Sequence, residues 1–284
     1  MIHNRRSGSY ILLIGILAYI LAGCANKYMI KPGDTLDEAY KKAEHFYNVH
    51  DYDQASSAFQ TVLSLARGTA RAEQAEYYLA ESYYHNNEFL LAANEYKRYY
   101  TYYPKSPKRE EMQFKEALCY YKLSPRYKLD QTNTDKAIEL FQLFISQYPN
   151  SDQASQAGKY IDKLRDKLAH KTYAAAKLYM RNNHYKAAAI YYGLTVDQYP
   201  ETNWAESAMA RQVTAYLELA QNSVPSKQKE RYNKAIAAYQ KYVQIFPDGK
   251  NRAEAENSYS TARDALAKLN SNSSKSKNLT ASND

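Results

Sequence analysis

Histidine and cysteine side chains are the first candidates for metal ligands or nucleophiles, and their spacing in this chain favours neither role. The 284 residues include two cysteines and six histidines, which are scattered over positions 3, 45, 50, 85, 170 and 184. No two histidines form the i, i+4 pair that places both imidazoles on one helix face, and no Cys-x-x-Cys, Gly-x-Ser-x-Gly or phosphate-binding Gly-rich motif occurs. We therefore expect no catalytic residue, no metal site and no enzymatic activity.

Cys24 ends an N-terminal segment that differs from the rest of the chain. Arg5 and Arg6 precede an apolar run of 13 residues from Tyr10 to Ala22. A helix of that length spans about 20 Å, less than the ~30 Å hydrocarbon core of a membrane, so the run is typical of a signal peptide. It ends in Leu21-Ala22-Gly23-Cys24, which resembles the lipobox of bacterial lipoproteins. The pattern predicts a signal peptide over residues 1–23, and a diacylglycerol and an N-acyl chain on Cys24.

Two neighbouring features bear on the fate of Cys24. Ordinary secretory cleavage near Gly23 would leave the cysteine unmodified, and this alternative stays open. Asn26 occupies the position at which enterobacterial lipoproteins carry an Asp as an inner-membrane retention signal. Its identity favours the periplasmic face of the outer membrane of a Gram-negative bacterium. If Cys24 is acylated, Cys119 is the remaining thiol and has no disulfide partner in the chain, so we expect it to be buried.

The composition of the chain predicts an all-helical fold. Eight glycines are too few for the loops of a nucleotide-binding α/β fold, whereas alanine-rich, charged amphipathic stretches are frequent. A mean hydropathy of −0.73 excludes a polytopic membrane protein. The net charge of +8 includes Arg5 and Arg6 of the signal segment. The remaining basic bias is too weak to indicate nucleic-acid binding.

A motif of alanine, two mostly aromatic positions and proline recurs along the chain. Relative to the alanine, the other positions follow at offsets of +4, +7 and +12. The copies begin at Ala92, Ala137, Ala188 and Ala235, and a fainter copy begins at Ala55. The first three positions share one face of a helix, and proline cannot continue a helix. Each copy therefore predicts one amphipathic helix and its end.

A partner helix with its own alanine precedes these helices. Ala43 and Ala80 lie 12 residues before Ala55 and Ala92, which is the spacing of two short antiparallel helices. The arrangement resembles the tetratricopeptide repeat over about residues 36–250. We expect an all-α, right-handed α-solenoid of about five such hairpins over residues 36–270, with halves at 36–122 and 123–270. Residues 24–35 would be a lipidated linker, and the polar residues 271–284 a disordered tail.

Aromatic residues form two rows on the first helices of the predicted hairpins. One row contains Tyr40, Tyr77 and Phe114, and the other contains Tyr47, Tyr84 and Tyr121. First helices of such hairpins line a concave surface, and a wall of rings can hold an extended peptide by its side chains. These residues are the candidate partner- and peptide-binding site. Packing between repeats is the alternative for any one of them.

Several segments in the middle of the chain are more specific than a generic repeat. Ser124-Pro125-Arg126-Tyr127 opens an eight-residue insertion over 124–131, and further residues are expected to be inserted around 222–226. Tyr148-Pro149-Asn150-Ser151, Leu164-Arg165-Asp166-Lys167 and Tyr199-Pro200-Glu201-Thr202 follow the first insertion. Together these segments resemble the BamD family of outer membrane assembly lipoproteins, over most of the mature chain. The tyrosine density and the tail after about residue 270 depart from the family pattern.

The resemblance implies a lipid-anchored periplasmic scaffold of the outer-membrane β-barrel assembly (BAM) complex. By analogy, residues around 169–250 would bind the periplasmic domains of the central, BamA-like barrel subunit. Residues 36–122 would receive unfolded outer-membrane proteins. No nucleic acid and no cofactor besides the lipid on Cys24 are implied. Two alternatives remain: another periplasmic repeat lipoprotein acting in cell division or peptidoglycan coordination, and a lipid-anchored enzyme or solute-binding protein.

Overall fold

The computed structural model describes residues 27–281, with side chains through residue 272. The predicted signal peptide and Cys24 lie outside the described residues. All regular structure within that range is helical, and none of its helices is both long enough and apolar enough to span a membrane. The helices are α1 (Leu36–Asn48), α2 (Tyr52–Leu65), α3 (Arg71–His85), α4 (Phe89–Tyr102), α5 (Arg109–Leu123), α6 (Thr132–Gln147), α7 (Asp152–Arg181), α8 (Tyr185–Gln198), α9 (Asn203–Gln221), α10 (Pro225–Ile245) and α11 (Arg252–Ala281).

The chain divides into two compact units. The first contains the described residues through Ser124 together with residues 132–158, and thus α1 to α6 and the start of α7. The second contains residues 125–131 and everything described from residue 159 onward. The boundary predicted between residues 122 and 123 differs because α6 belongs to the first unit. Phe114 of α5 packs against Phe141 and Phe144 of α6, with ring centroids 5.7 and 5.4 Å apart.

The recurring alanines and the positions that follow them build the core of each unit. Each of the five motif alanines is fully buried. The rings at offset +4 are at most 9% exposed and are Phe59, Tyr96, Phe141, Tyr192 and Tyr239. The small alanine lets the neighbouring helix approach closely, and the ring fills the groove beside it. The predicted core face and the all-α fold of tetratricopeptide-like hairpins are confirmed.

The repeat prolines mark the ends of the second helices of the hairpins. Pro104, Pro149, Pro200 and Pro247 each stand two residues beyond the last residue of α4, α6, α8 and α10. In the first hairpin α2 ends at Leu65, the equivalent place, although Arg67 replaces the proline. This helix therefore ends at the equivalent place without a proline.

The turns inside three hairpins share one backbone geometry. His50, Asn87 and Asn183 have positive φ angles of 63°, 62° and 60°, a region that Asn and His enter more readily than most residues. In each turn the amide of the following residue donates to a carbonyl five residues earlier, at 2.9 Å. This hydrogen bond closes a tight turn between the two helices of the hairpin. It thereby fixes the helix ends that carry Tyr47 and Tyr84.

Two boundaries near the C-terminus differ from expectation. The additional residues around 222–226 lengthen helices rather than a loop, because Pro225 occupies the first turn of α10, where its missing N–H is harmless. The last helix continues to Ala281, past residue 271, at which the disordered tail was expected to begin. No glycine or proline interrupts this stretch, and extending an existing helix is far easier than starting one.

Candidate functional site

The six predicted peptide-binding residues divide into buried and accessible side chains. Tyr40 is 6% exposed and Phe114 is 7% exposed, so both serve the core. The half-buried members are Tyr47, Tyr77, Tyr84 and Tyr121. The row of Tyr47, Tyr84 and Tyr121 therefore keeps accessible surface in three consecutive repeats. The other row keeps it only at Tyr77.

Tyr40 shows why an aromatic residue recurs in the more buried row. Its ring meets Phe59 of α2 edge-on, with centroids 5.9 Å apart, and the Arg71 guanidinium lies 4.7 Å from its centroid. Burial raises the pKa of Tyr40 to about 12. In the next repeat the Lys108 ammonium lies 4.3 Å from the ring centroid of Tyr77. A cation from the start of the following first helix thus covers the ring in both repeats.

Tyr47 and Tyr84 are linked through His85. The His85 ring centroid lies 6.3 Å from that of Tyr47 and 5.7 Å from that of Tyr84. Tyr52 of α2 stacks on the same imidazole at 4.8 Å. Burial raises the pKa of the Tyr47 hydroxyl, and the nearby Glu81 carboxylate adds to the effect. The rings of the first two hairpins therefore form one continuous aromatic surface.

An ion pair with a buried carboxylate lies beside these rings. The Glu81 carboxylate accepts hydrogen bonds from Lys115 Nζ at 2.7 Å and from the Tyr96 hydroxyl at 2.6 Å. Lys115 also contacts Glu111 at 3.0 Å. Burial acts to lower the pKa of Lys115, but the two carboxylates outweigh it and the pKa is raised. The pair joins α3 to α5 and places fixed charges next to the aromatic surface.

The chemistry available at this surface is recognition. A half-buried tyrosine offers an apolar ring and a hydroxyl, and can contact both the side chains and the backbone of an extended segment. Cys119 is fully buried, as predicted, and burial raises the pKa of its thiol, which disfavours the reactive thiolate. Within residues 27–272, no three His, Cys, Asp or Glu side chains lie close enough together to hold a metal ion.

A second aromatic cluster lies in the second unit, and the sequence did not reveal it. Tyr127 of the insertion stacks on His170 of α7 at 3.9 Å, and His170 stacks on Trp204 of α9 at 4.2 Å with 7° between the ring planes. Tyr173 lies 5.1 Å from Trp204. Burial lowers the pKa of His170. Trp204 is the single tryptophan of the chain, and its rarity was the one feature of the sequence that could have pointed to this cluster.

The segments that carry the family resemblance meet in this unit. Lys171 Nζ donates to the carbonyl of Leu129 at 2.6 Å, which attaches the insertion to α7. Arg165 Nε donates to Glu201 at 2.5 Å, and its Nη2 donates to the Gln198 carbonyl at 2.7 Å. Residues 125–131, 164–169 and 199–202 thereby fix the relative positions of α7, α8 and α9.

A groove with an apolar floor runs along the second unit. One cavity of about 630 Å³ and another of about 290 Å³ share Lys186, Ile190 and Leu219 as lining residues. The side chain of Ile190 is exposed. The smaller cavity is also lined by basic residues of α10, which are Lys227, Arg231 and Lys234. Its one acidic lining residue, Glu230, is paired with Lys234 at 2.9 Å. The rim is therefore basic.

Known proteins similar to this chain include outer-membrane lipoproteins. The profile of the YfiO family, described as outer membrane lipoprotein, matches residues 32–231. The outer membrane protein assembly factor BamD of Caulobacter vibrioides is 23% identical over 231 residues, which cover 79% of this chain and 73% of that protein. The BamD proteins of Rickettsia prowazekii and Vibrio cholerae are 25% and 24% identical, covering 74% of this chain and 83% and 92% of their own lengths.

Proposed function

This chain belongs to the YfiO family of outer membrane lipoproteins, and we propose that it is a lipid-anchored periplasmic scaffold of the machinery that folds and inserts β-barrel proteins into the outer membrane. The observation that carries the proposal is the family match over residues 32–231, which reaches into both compact units. The proposed role in assembly is inferred from the relatives that are named as outer membrane protein assembly factors.

Cys24 would hold the scaffold on its membrane. The cysteine follows a signal-like apolar run and small residues, which is the sequence context of acylated cysteines. One acyl chain gives only reversible membrane binding, whereas a diacylglycerol and an N-acyl chain together give stable anchoring. The mature chain would then begin at Cys24 on the periplasmic face of the outer membrane.

The first unit would receive unfolded outer-membrane proteins. A barrel strand alternates apolar and polar side chains, so an unfolded client offers both kinds of contact along an extended segment. The half-buried tyrosines provide ring faces, and Lys115, whose side chain is 21% exposed, provides a charge beside them. Tyrosine also loses little conformational freedom on binding, because it has few rotatable bonds. These properties suit a surface that must accept many client sequences.

The second unit would bind the periplasmic domains of the central barrel subunit. The groove around Ile190 and Leu219 has an apolar floor and a charged rim, which is the common anatomy of a protein–protein interface. Lys227, Arg231 and Lys234 complement an acidic partner surface. The groove lies within residues 169–250, the range that the family resemblance assigns to this contact.

Depletion of the protein from its native cell tests the proposal. We expect the folded, heat-modifiable fraction of outer-membrane barrels to fall severalfold while soluble periplasmic proteins are unaffected. Unchanged barrel folding would contradict the assembly role. Complementation with Cys24→Ser tests the anchor separately, because the variant should remain unprocessed or soluble. Normal processing and retention of Cys24→Ser in the outer-membrane fraction would contradict acylation.

A further inference from the structure

We infer that the first hairpin rests against the phospholipid leaflet that holds the anchor, through the end at which α1 turns into α2. The inference rests on the proposed acylation of Cys24 and goes beyond it. A lipid on a long free linker would leave the orientation of the first unit unspecified. The structure shows instead that residues 27–35, which follow Cys24 in the chain, pack against α1.

Residues 27–35 run back along α1. The Tyr28 ring stacks on His45 in the last turn of the helix, with centroids 3.5 Å apart and 18° between the planes. Nearer the start of the helix, the Asp34 carboxylate accepts hydrogen bonds from Lys42 Nζ and from the Lys31 amide, each at 2.6 Å. Tyr28 also packs against the core of the first unit. The segment is therefore held at both of its ends.

The docked Tyr28 brings the lipidation site close to the end of α1. Cys24 precedes Tyr28 by four residues in the sequence. A fully extended chain of that length spans at most about 14 Å. Because the acyl chains lie inside the leaflet, Tyr28 is held within roughly that distance of the lipid headgroups, and His45, on which Tyr28 stacks, lies beside it at the end of α1. The opposite end of α1 lies about 20 Å farther along the helix axis.

The surface at this end suits a lipid interface. Val49 is 55% exposed and Met29 is 52% exposed, so each offers an apolar side chain to its surroundings. Lys41 and His45 lie one turn apart on one side of α1, and Val49, the C-cap residue, follows at the same spacing. Apolar groups flanked by basic side chains are characteristic of protein surfaces that insert shallowly among headgroups. In the turn itself, the Asp51 carboxylate accepts a hydrogen bond from the amide of Gln54.

Leu65 provides a matched control position. Its side chain is 47% exposed, similar to Val49, and it belongs to the same hairpin. It ends α2, whose 14 residues begin just after the turn. At the rise of an α-helix, Leu65 lies about 20 Å from the turn. When the turn faces the leaflet and both helices point away from it, a leaflet that contacts Val49 therefore does not reach Leu65.

The test uses the mature, acylated protein in vesicles of phosphatidylethanolamine and phosphatidylglycerol that contain a nitroxide-labelled lipid. In a Cys119→Ala background, an environment-sensitive fluorophore is attached at Val49→Cys or at Leu65→Cys. We expect severalfold stronger quenching at position 49 than at position 65. Adding Tyr28→Ala should reduce the quenching at position 49, whereas Tyr28→Phe, which keeps the ring, should preserve it.

Flotation with the vesicles separates the two levels of the inference. Protein that floats but shows equal quenching at both positions would overturn the proposed orientation and leave the anchor standing. Protein that does not float would overturn the anchor and the orientation together. Unchanged quenching at position 49 in Tyr28→Ala would also overturn the inference, since docking of Tyr28 is what brings this end to the membrane.

Discussion

Glu81 of α3 and Lys115 of α5 form an ion pair of 2.7 Å between the first helices of two consecutive hairpins. The Tyr96 hydroxyl donates to the same carboxylate, and Lys115 lies near the rings of both Tyr77 and Tyr96. The pair thus belongs both to the packing between repeats and to the aromatic surface assigned to clients.

Loss of this pair should destabilise the first unit. Lys115→Met is expected to lower the free energy of unfolding by about 3 kcal/mol, because it leaves the buried Glu81 charge without its partner. Lys122→Met, on the exposed surface of the same helix, is the control and should change stability by less than about 0.5 kcal/mol. Urea unfolding measures both variants. If Lys115→Met had the same free energy of unfolding as Lys122→Met, the buried Glu81 carboxylate would not need Lys115 for its stability.

Glu116 should make stability depend on pH. It is buried and accepts a hydrogen bond from the Tyr100 hydroxyl at 2.7 Å. Burial raises its pKa above the usual 4.5, and the bond from Tyr100 only partly opposes this. A raised folded-state pKa means that the folded chain binds the proton more tightly than the unfolded chain. Stability from this site is therefore lost as the pH rises from about 4.5 through the folded-state pKa.

Glu116→Gln tests that dependence, since it removes the charge and keeps an acceptor for Tyr100. We expect the variant to be more stable than the wild type at about pH 7 and the difference to shrink towards about pH 4. Tyr100→Phe should act in the opposite direction at neutral pH, because the carboxylate loses its hydrogen bond. Urea unfolding at the two pH values measures the free energies of unfolding that test both expectations. A stability difference that stays constant with pH would contradict the raised pKa.

The accessible row of tyrosines should carry client binding. Tyr47→Ser combined with Tyr84→Ser is expected to weaken binding of a synthetic barrel-strand peptide by tenfold or more, since aromatic anchors commonly contribute more than about 1 kcal/mol each. Tyr102→Ser, at an exposed position at the end of α4, should leave affinity unchanged. Fluorescence anisotropy measures binding, and circular dichroism checks the fold. Unchanged affinity in the double variant would assign both rings to packing alone.

Trp204 should report the protonation of His170, on which it stacks. Burial lowers the pKa of His170, and the nearby Asp166 only partly offsets the effect. We expect Trp204 fluorescence to be quenched on acidification with a midpoint below the usual histidine value of 6.5. A lowered folded-state pKa also means that stability from this site is lost as the pH falls below about 6.5. His170→Phe should abolish the transition, and a midpoint at or above 6.5 would contradict the lowered pKa.

The repeat core could be predicted because it depends on local periodicity. Ala92, Tyr96 and Tyr99 share one helix face whatever lies against it, and that face is buried in the structure. The helix ends followed equally from Pro104 and its counterparts. The burial of Cys119 could be expected from its apolar neighbours. Each of these inferences needed only residues that are close in sequence.

The accessibility of individual rings could not be predicted, since it depends on contacts between repeats. Tyr40 and Tyr47 occupy the same helix and have the same side chain, but Phe59 and Arg71 enclose Tyr40 while Tyr47 keeps exposed surface. The stack of Tyr127, His170 and Trp204 draws on three segments that are far apart in the chain. No periodic pattern connects such residues.

Recovery of partners from cell envelopes tests the central claim most directly. The tagged mature protein is captured in mild detergent and its partners are identified by mass spectrometry, in parallel with Lys227→Glu combined with Lys234→Glu. We expect the wild type to recover a large outer-membrane barrel protein with periplasmic domains, and the charge-reversed variant to recover much less of it. Recovery of only cell-division or cell-wall proteins would contradict a role in barrel assembly.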